Sequence, residues 1–387
     1  MIEDIKNFKI NWIDGMKISK EHFLSLQDFA ENQVKDAYVT RKGRHGYGLL
    51  TPHTDGNKPV RVTLDQHEGL SIELERLRAV TPNGSRIEIT PQMPKIGGEK
   101  AFADLTDNKL GSGYLVINLD AGNPVAFGEQ DPKEVPPRHP FLTHHHFFSF
   151  VSDSELINSG IGGNQLPIAK IIEENGNLTA AADYIPPSMS LDAHPALIDF
   201  YSETANFLKM TERNTVSIVQ KIRSKQKSEN PISDAMFVAV DKLYVYLAQQ
   251  ITKIKWEQYD LHPKDLLETI VSFSRIFKDA VDSISPENKE QLFNYFGEWS
   301  DMKGGDYEKL FSGVINLEYN HLDLRANLKV VTHFMDVVDR LFTVLTQVDY
   351  IGKRRDMGIF VHENKVNEKS GKAEKVVQAS GPSFLAE

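Results

Sequence analysis

The stretch Tyr184-Ile185-Pro186-Pro187-Ser188-Met189 lies where the pattern of apolar residues changes, and it decides how the fold is divided. Before it, from about residue 60 to 185, apolar residues recur with a period of two and are interrupted by Gly, Pro and Asn. That pattern is typical of short antiparallel strands. After it the period is about 3.5, which predicts helices. The two adjacent prolines therefore mark the boundary between a β-rich and a helical region.

On the N-terminal side of this boundary, Leu70, Ile72 and Leu74 alternate with other residues and predict a strand. Thr81-Pro82-Asn83-Gly84-Ser85 lies between two apolar runs and predicts a hairpin, because an Asn-Gly pair accepts the positive φ of a tight turn. Further apolar runs predict strands at 114–119, 147–151 and 166–172. Because no helical pattern separates these strands, we predict an antiparallel β sandwich or a partly open barrel.

On the C-terminal side, prolines and capping residues mark the helix starts. Helices are predicted to begin near Pro195, after the polar linker 224–230, at Pro263 and at Ser285-Pro286, with the last of these ending near Trp299 before a break at Gly304-Gly305. The residues predicted to face inward on the first of them are Ile198, Tyr201, Ala205, Leu208, Thr215, Val219 and Ile222.

The most regular helical pattern is the last one, in which seven apolar residues follow a 4,3,4,3,4,3 spacing. They are Leu324, Leu328, Val331, Met335, Val338, Phe342 and Leu345. This spacing keeps one stripe in register for about three heptads, so the helix packs either on other copies of the chain or within an intramolecular bundle. Both interpretations stay open. The predicted fold is α+β, with a β-rich region at 1–187, a helical bundle at 188–348 and a tail or small terminal region at 349–387.

Length and composition limit the number of domains, the kind of partner and the expected location of the protein. The 387 residues exceed the roughly 100 to 200 of one domain, which predicts two or three domains. The 54 acidic residues outnumber the 44 Lys and Arg, so a nucleic-acid partner is not expected. The absence of cysteine excludes disulfides and thiolate metal sites. No apolar run approaches the ~18 residues of a membrane span and no secretory signal is recognised, so we expect a cytoplasmic protein.

Two segments could suggest chemistry, and neither predicts a site. His144-His145-His146 lies near His139, but alternation along a strand lets only His144 and His146 share an ion. We interpret this cluster as solvated imidazoles at a loop-to-strand junction. Gly160-Ile161-Gly162-Gly163 precedes a strand-like run rather than the helix that phosphate binding needs, and we interpret it as a flexible loop. No catalytic, cofactor or metal residue is predicted.

Three segments carry a resemblance to a known family. The first is 10–18 with Trp12, Gly15 and Met16, followed by Glu21-His22-Phe23 and Gln27-Asp28 at the start of a helix. The second runs from Leu166-Pro167-Ile168-Ala169 to the Pro186-Pro187 hinge, and the third is His262-Pro263 with Leu266 and Leu267. In this order, with the Asn83-Gly84 hairpin between them, they resemble the TssK family of type VI secretion baseplate subunits.

The resemblance implies a fold and a role. Members of that family have a β-rich shoulder similar to phage receptor-binding proteins, then a helical neck, and they form homotrimers without catalytic activity or cofactors. Their shoulder docks on the wedge proteins TssF and TssG, and a C-terminal head contacts the membrane complex at the inner face of the cell envelope. It follows that Trp12, Gly15, Met16, His22 and Phe23 are expected to shape a contact with a wedge protein or another copy of the chain. For Trp12 and Phe23, packing in the core is the alternative.

The resemblance has one departure and leaves alternatives. Only about forty residues follow Leu345, too few for the family's full head, with Ile351 to Val361 as a candidate first strand of a reduced one. We therefore expect a divergent system, such as those of Bacteroidota, with a different membrane anchor. A phage-type receptor-binding or tail-tip protein is the alternative function. A third is an enzyme with a metal at His144 and His146.

Overall fold

The computed structural model describes residues 7–51, 61–65, 69–74, 76–93, 96, 101, 111–174, 177–224 and 230–354. Residues 355–387, which include most of the predicted tail and most of the candidate strand at 351–361, lie outside the described part of the chain. The predicted α+β fold with antiparallel sheets is confirmed.

Nine strands form three antiparallel sheets in the described part of the chain. The strands are β1 Gly48–Leu49, β2 Arg61–Asp65, β3 Gly69–Glu73, β4 Leu77–Val80, β5 Arg86–Ile89, β6 Gly113–Phe127, β7 Phe141–Ser152, β8 Gln165–Glu174 and β9 Asn177–Ala180. The strand orders are β1-β4-β5, β2-β3 and β7-β6-β8-β9. The first and third sheets share one apolar core, which includes Leu77 and Ile87 from one sheet and Leu115, Phe148 and Leu166 from the other. This shared core makes the region sandwich-like.

The predicted hairpin at 81–85 is present between β4 and β5. Gly84 has a φ of +85°, and its N–H donates to the carbonyl of Thr81 at 2.8 Å. The Thr81 hydroxyl donates to the Asn83 side-chain oxygen at 2.6 Å, which holds the turn from within. β6 and β7 are longer than their apolar runs predicted and continue as a two-stranded ribbon, with Phe127 opposite Phe141 near its tip.

Eight α-helices lie in the described residues. They are α1 Lys20–Lys42, α2 Asp153–Ser159, α3 Pro195–Ser224, α4 Pro231–Glu257, α5 Pro263–Asp282, α6 Pro286–Glu298, α7 Gly304–Ile315 and α8 Leu324–Gln347. Three of them begin with a capping side chain followed by proline, which was predicted for Ser285-Pro286. The caps of α4, α5 and α6 are Asn230, His262 and Ser285, and each accepts a hydrogen bond from a backbone N–H in the first turn.

Helices α3 to α8 enclose a core rich in phenylalanine. The Phe277 ring stacks on Phe311 at 4.8 Å between centroids, Phe311 meets Phe334 at 5.3 Å, and Phe207 meets Phe273 at 5.5 Å. Burying each such ring contributes about 1.5 to 3 kcal/mol. The helical region therefore buries these apolar residues within one chain.

Two details of the helical prediction differ from the structure. Leu208, Thr215 and Ile222 are buried on α3 as predicted, and the predicted Tyr201 and Val219 are partly buried against the core. The buried stripe also contains residues that the prediction left out, namely Leu197, Phe200, Thr204 and Phe207. The expected break at Gly304-Gly305 is the start of α7. A Cβ on Gly304 would lie 2.6 Å from the Asn294 side-chain oxygen, so this glycine permits close packing of α7 on α6 instead of ending a helix.

Direct contacts join the strands to the helices. The Leu49 N–H donates to the Pro187 carbonyl at 2.7 Å, next to the predicted boundary. Farther along, the Tyr184 hydroxyl donates to the Leu322 carbonyl at 2.8 Å, and the Lys170 ammonium lies 2.8 Å from the Asp323 carboxylate. Strands end at Ala180 and the long helices begin at Pro195, while the domain limits at 187 and 348 remain a prediction.

Candidate interaction surface

Helix α1 differs from every other long helix because none of its 23 residues is buried. At 1.5 Å per residue it is about 35 Å long. The preceding segment and α1 together expose eight large apolar side chains. They are Phe8, Trp12, Ile13, Ile18, Phe23, Leu24, Leu26 and Val34. We call residues 7–34 the N-terminal arm. An exposed apolar set of this kind marks an interaction site.

The arm folds back on itself. The Trp12 ring lies 5.9 Å from the His22 ring, and the Lys9 ammonium lies 6.0 Å from the centre of the Phe29 ring. The residue earlier in the chain meets the residue later in the helix, so the segment before α1 runs antiparallel to it. Trp12 nevertheless remains 47% exposed and Phe23 59% exposed.

A turn and a helix cap produce this reversal. The Met16 N–H donates to the Ile13 carbonyl at 3.2 Å, and Gly15 supplies a φ of +80° in the turn. That backbone conformation favours glycine. The Ser19 N–H then donates to His22 Nδ1 at 3.0 Å, which fixes the imidazole at the start of α1. The pKa of Glu21 is lowered mainly by a hydrogen bond from the Ser19 side chain and, to a smaller extent, by a backbone hydrogen bond. The Glu21 carboxylate is therefore charged, at the N-terminus of α1 where the helix dipole favours a negative charge.

The C-terminal part of α1 attaches the arm to the β region. The Tyr38 hydroxyl donates to the Met189 sulfur at 3.6 Å. The hairpin turn lies against the helix, since a Cβ on Gly84 would be 3.1 Å from the Lys35 carbonyl oxygen and 3.2 Å from Val39 Cγ2. All eight exposed apolar residues precede these contacts in the chain.

The five N-terminal residues singled out from the sequence therefore lie in one short structure. Trp12 contacts His22, Gly15 and Met16 form the turn between them, and Phe23 follows His22 in the first helical turn. Trp12 and Phe23 are exposed and do not pack in the core of the described chain. Their contact with a partner remains a prediction. Leu24, Leu26 and Val34 are exposed as well but were not predicted, although Phe23, Leu26, Ala30 and Val34 follow the spacing of one helix face.

The seven heptad residues of α8 lie inside the helical bundle of one chain. All except Leu328 are buried, and Leu328 packs against the same core. Phe342, for example, has its ring 6.1 Å from that of Phe277 in α5. The stripe is thus covered by other helices of the same chain, and its role in a trimer remains a prediction.

The histidine cluster lies within strand β7, not at the loop-to-strand junction that we predicted. His145 is exposed, whereas His146 is partly buried and its Nε2 has no hydrogen-bond partner among the described residues. Burial, with a smaller effect of His144 and His145, lowers the pKa of His146 to about 4. Within the described residues, no group of three His, Asp or Glu side chains is arranged to hold a metal ion.

Comparison with protein families gives one match. The family described as "Bacterial Type VI secretion, VC_A0110, EvfL, ImpJ, VasE" matches residues 134–275. This segment, which is less than half of the chain, is similar to that type VI secretion family. It comprises β7 to β9, helices α2 to α4 and most of α5. The predicted resemblance is confirmed at this level. No curated protein matches the chain.

Several solved structures are similar to the chain. A crystal structure of TssK has 15% identity and a TM-score of 0.47, covering 87% of this chain and 70% of the other. A TssK-TssF-TssG subcomplex of the type VI secretion baseplate has 14% identity and a TM-score of 0.46, covering 87% and 100%. A baseplate complex from the type VI secretion system has 14% identity and a TM-score of 0.49, covering 86% and 100%.

A search for membrane-crossing segments has a negative result for the described residues, since none of their helices combines enough length with enough apolar character.

Proposed function

We propose that this chain is a non-catalytic structural adaptor of a type VI secretion baseplate. It acts as a homotrimer at the cytoplasmic face of the inner membrane. Its N-terminal arm binds wedge proteins similar to TssF and TssG, and its C-terminal region faces the membrane-anchoring complex. The family match of residues 134–275 supports the secretion system as the setting.

The observation that carries the proposal is the exposure of the arm. Eight large apolar side chains project from a helix with no buried residue and from the segment folded on it. Aromatic anchors of this kind dominate binding energy in protein interfaces. Trp12 and Phe23 bracket the Gly15 turn, which presents them from one compact support.

The test is capture of partners by arm variants. The tagged chain is expressed in its native bacterium, mildly crosslinked and purified, and the retained proteins are identified. We expect wedge, sheath or hub proteins with the parent chain. The double variant Trp12→Ser and Phe23→Ser should lose wedge proteins at least about tenfold, the effect of losing 1.4 kcal/mol of binding free energy.

Trp256 provides the matched control because it is 80% exposed on α4, far along the chain from the arm. The Trp256→Ser variant should retain wedge proteins at the parent level. Light scattering should give three chains per particle for all three proteins. Parent-level wedge capture by the arm variant would refute the docking role, and loss of the trimer in that variant would assign the arm to contacts between copies. Virion proteins in place of wedge proteins would favour the phage tail-tip alternative.

A further inference from the structure

Five imidazole and phenol side chains meet where the chain leaving α1 reaches the helical bundle. We call them the histidine joint; they are His45, Tyr47, His262, Tyr319 and His321. The His321 ring lies at the centre, 5.5 Å from His45, 4.6 Å from Tyr47 and 5.4 Å from His262. His262 belongs to the segment singled out from the sequence, but the function proposed above gives it no role.

Two hydrogen bonds from the bundle hold the segment between α1 and β1. His262 Nε2 lies 3.1 Å from the His45 carbonyl oxygen, and His321 Nε2 lies 2.7 Å from the Tyr47 carbonyl oxygen. A carbonyl oxygen only accepts, so both Nε2 atoms carry a proton. The bundle therefore holds the backbone within five residues of the end of α1 at Lys42.

The other nitrogen of each imidazole accepts a hydrogen bond. His262 Nδ1 accepts from the Lys264 N–H at 3.1 Å, which caps α5. His321 Nδ1 lies 2.8 Å from the Tyr319 hydroxyl oxygen and accepts a hydrogen bond from that hydroxyl. Both imidazoles are thus neutral, with the proton on Nε2. All four nitrogens are used, so neither ring has one left for a metal ion.

Protonation is incompatible with this arrangement. A proton on His262 Nδ1 would face the Lys264 N–H, donor against donor. A proton on His321 Nδ1 would force the Tyr319 hydroxyl to give up its own donated bond. Burial, and after it the neighbouring His262 and His45, lowers the pKa of His321 to about 3, although its bond to Tyr47 acts in the opposite direction.

The charged groups around the joint do not offset the positive charge that a protonated imidazole would add. Arg44 from the α1 side and Lys264 from α5 are cations, and both act against charging of His45. Asp265 from α5 favours a charged His262, but burial outweighs it and lowers the pKa of that imidazole. Desolvation raises the pKa of Tyr47 to about 12 and also raises that of Tyr319, so both phenols stay neutral.

We propose that neutral His262 and His321 are positioning residues that fix the direction of α1 relative to the helical bundle. Because α1 is about 35 Å long, a tilt of about 10° at its base moves its far end by about 6 Å. Partner binding through the arm then requires both imidazoles to stay neutral. This last step rests on the proposed function, whereas the positioning of α1 is independent of it.

The positioning is tested without any partner. Because the chain has no cysteine, Gln33→Cys on α1 and Lys329→Cys on α8 give two specific spin-label sites, both at least partly exposed. His262→Asn and His321→Asn place an acceptor where Nδ1 lies but no longer reach the carbonyls of residues 45 and 47. We expect the distance distribution to become at least twice as wide in the double Asn variant. His321→Gln keeps a donor near Nε2 and should give the parent width.

The protonation requirement is tested by amide hydrogen exchange at Leu49 and Leu50, which follow the joint. The His321 imidazole has a pKa of about 3 in the closed joint and its ordinary value of about 6.5 when the joint opens. The equilibrium constant for opening should therefore be about 25-fold larger at pH 5 than at pH 7. The protection factors should fall by about that factor in the parent, and they should fall less in His321→Gln, in which only the buried His262 still gains a proton on release. Circular dichroism first shows which variants remain folded, and hydrogen exchange is then measured on those.

Each outcome decides one step. Parent-like distances in the Asn variants would refute the positioning role. Protection in the parent that does not change between pH 7 and pH 5 would refute the protonation requirement. Wider distances with undiminished capture of wedge proteins at pH 7 would uphold the positioning and refute its link to partner binding. Failure of the Trp12 and Phe23 test alone would remove the proposed function and leave the positioning intact.

Discussion

The helical bundle and the N-terminal arm are built from similar residues but place them in opposite environments. In the bundle, Phe273, Phe277 and Phe334 are fully buried, whereas Trp12 and Phe23 of the arm face solvent. The bundle helices repeat apolar residues every three or four positions, so that neighbours in the same chain cover them. In α1, Phe23 and Leu26 are three positions apart and lie on one face of the helix, and Leu24 lies beside them. All three stay exposed in the described chain, which is why another molecule is expected there.

The largest effect is expected from a charge placed in the bundle. Val338 is fully buried in α8, so Val338→Asp buries a carboxylate without a partner and should cost more than about 4 kcal/mol. We expect loss of soluble, folded protein. Val330→Asp is the matched control because Val330 is exposed on the same helix, and it should change stability by less than about 0.5 kcal/mol. An unchanged melting temperature for Val338→Asp would overturn the assignment of this stripe to a core.

The bundle could be predicted because its signals are local. Pro195, Pro263 and the pair Ser285-Pro286 predicted the starts of three helices, and the structure has helices beginning at Pro195, Pro263 and Pro286. The inward face of α3 could not be predicted in the same way. Its buried stripe includes Thr204, Thr211 and Asn214, which a search for apolar residues passes over. Tertiary packing alone decides that these side chains turn inward.

The next largest effect is expected at the contact between strands and helices. Lys170 of β8 and Asp323 before α8 form a largely buried ion pair at 2.8 Å. Burial lowers the pKa of Lys170, but the hydrogen bond and charge of Asp323, together with Tyr114, outweigh it and raise the pKa overall. Asp323→Asn leaves the ammonium without its counter-ion and should cost about 2 kcal/mol in urea unfolding.

An exposed pair of the same chemistry controls for this prediction. Lys309 and Asp306 lie 3.4 Å apart on the surface of α7, and Asp306→Asn should change stability by less than about 1 kcal/mol. Equal effects at the two sites would mean that burial of Lys170 and Asp323 adds nothing.

Less of the interaction surface could be predicted than of the bundle. The Trp12, Gly15, Met16, His22 and Phe23 motif identified the segment through its family resemblance, and the structure places these residues together. Whether Trp12 and Phe23 are buried or exposed could not be decided, since an aromatic residue in a short motif suits either environment. The histidine joint joins residues more than 200 positions apart, and no pattern in a single sequence pairs such residues.

A moderate effect is expected from pH. The folded pKa of His321 is about 3, below the ordinary value of 6.5, so the unfolded chain binds the extra proton. The contribution of the neutral His321 imidazole to folding stability is complete above pH 6.5 and is lost as the pH falls toward 3. Between pH 7 and pH 5 this contribution should fall by about 2 kcal/mol. Urea unfolding measures it. His321→Gln should reduce the fall by about 2 kcal/mol, while the part due to the lowered pKa of His146 should remain.

Carboxylates do not obscure this pH range. Asp282 and Glu88 have lowered pKa values despite the opposing effect of their burial, because lysine and arginine partners hold them charged. Their contribution is complete above their ordinary pKa values near 4 and is lost only at lower pH. A decline in stability confined to pH values below 4 would therefore contradict the assignment to His321.

The smallest effects are expected from alanine at two glycines, one in the bundle and one in the arm. They test the comparison of these two regions most directly. Gly305 lies in the first turn of α7, and an alanine Cβ at this position would have no atom within 4 Å. Gly305→Ala should therefore stabilise the bundle by about 0.5 to 1 kcal/mol. Gly15 has equally open surroundings but a φ of +80°, which costs an alanine about 1 kcal/mol.

That cost should remain within the arm. Gly15→Ala should leave the global melting temperature unchanged while trypsin cleaves faster after Lys17 and Lys20, because the turn that folds Trp12 onto His22 opens more often. Gly305→Ala should raise the melting temperature and leave this cleavage at the parent rate. If Gly15→Ala instead lowered the melting temperature, the arm would unfold together with the bundle. Its apolar residues would then contribute to the stability of the same chain, and the contrast between the two regions would fail.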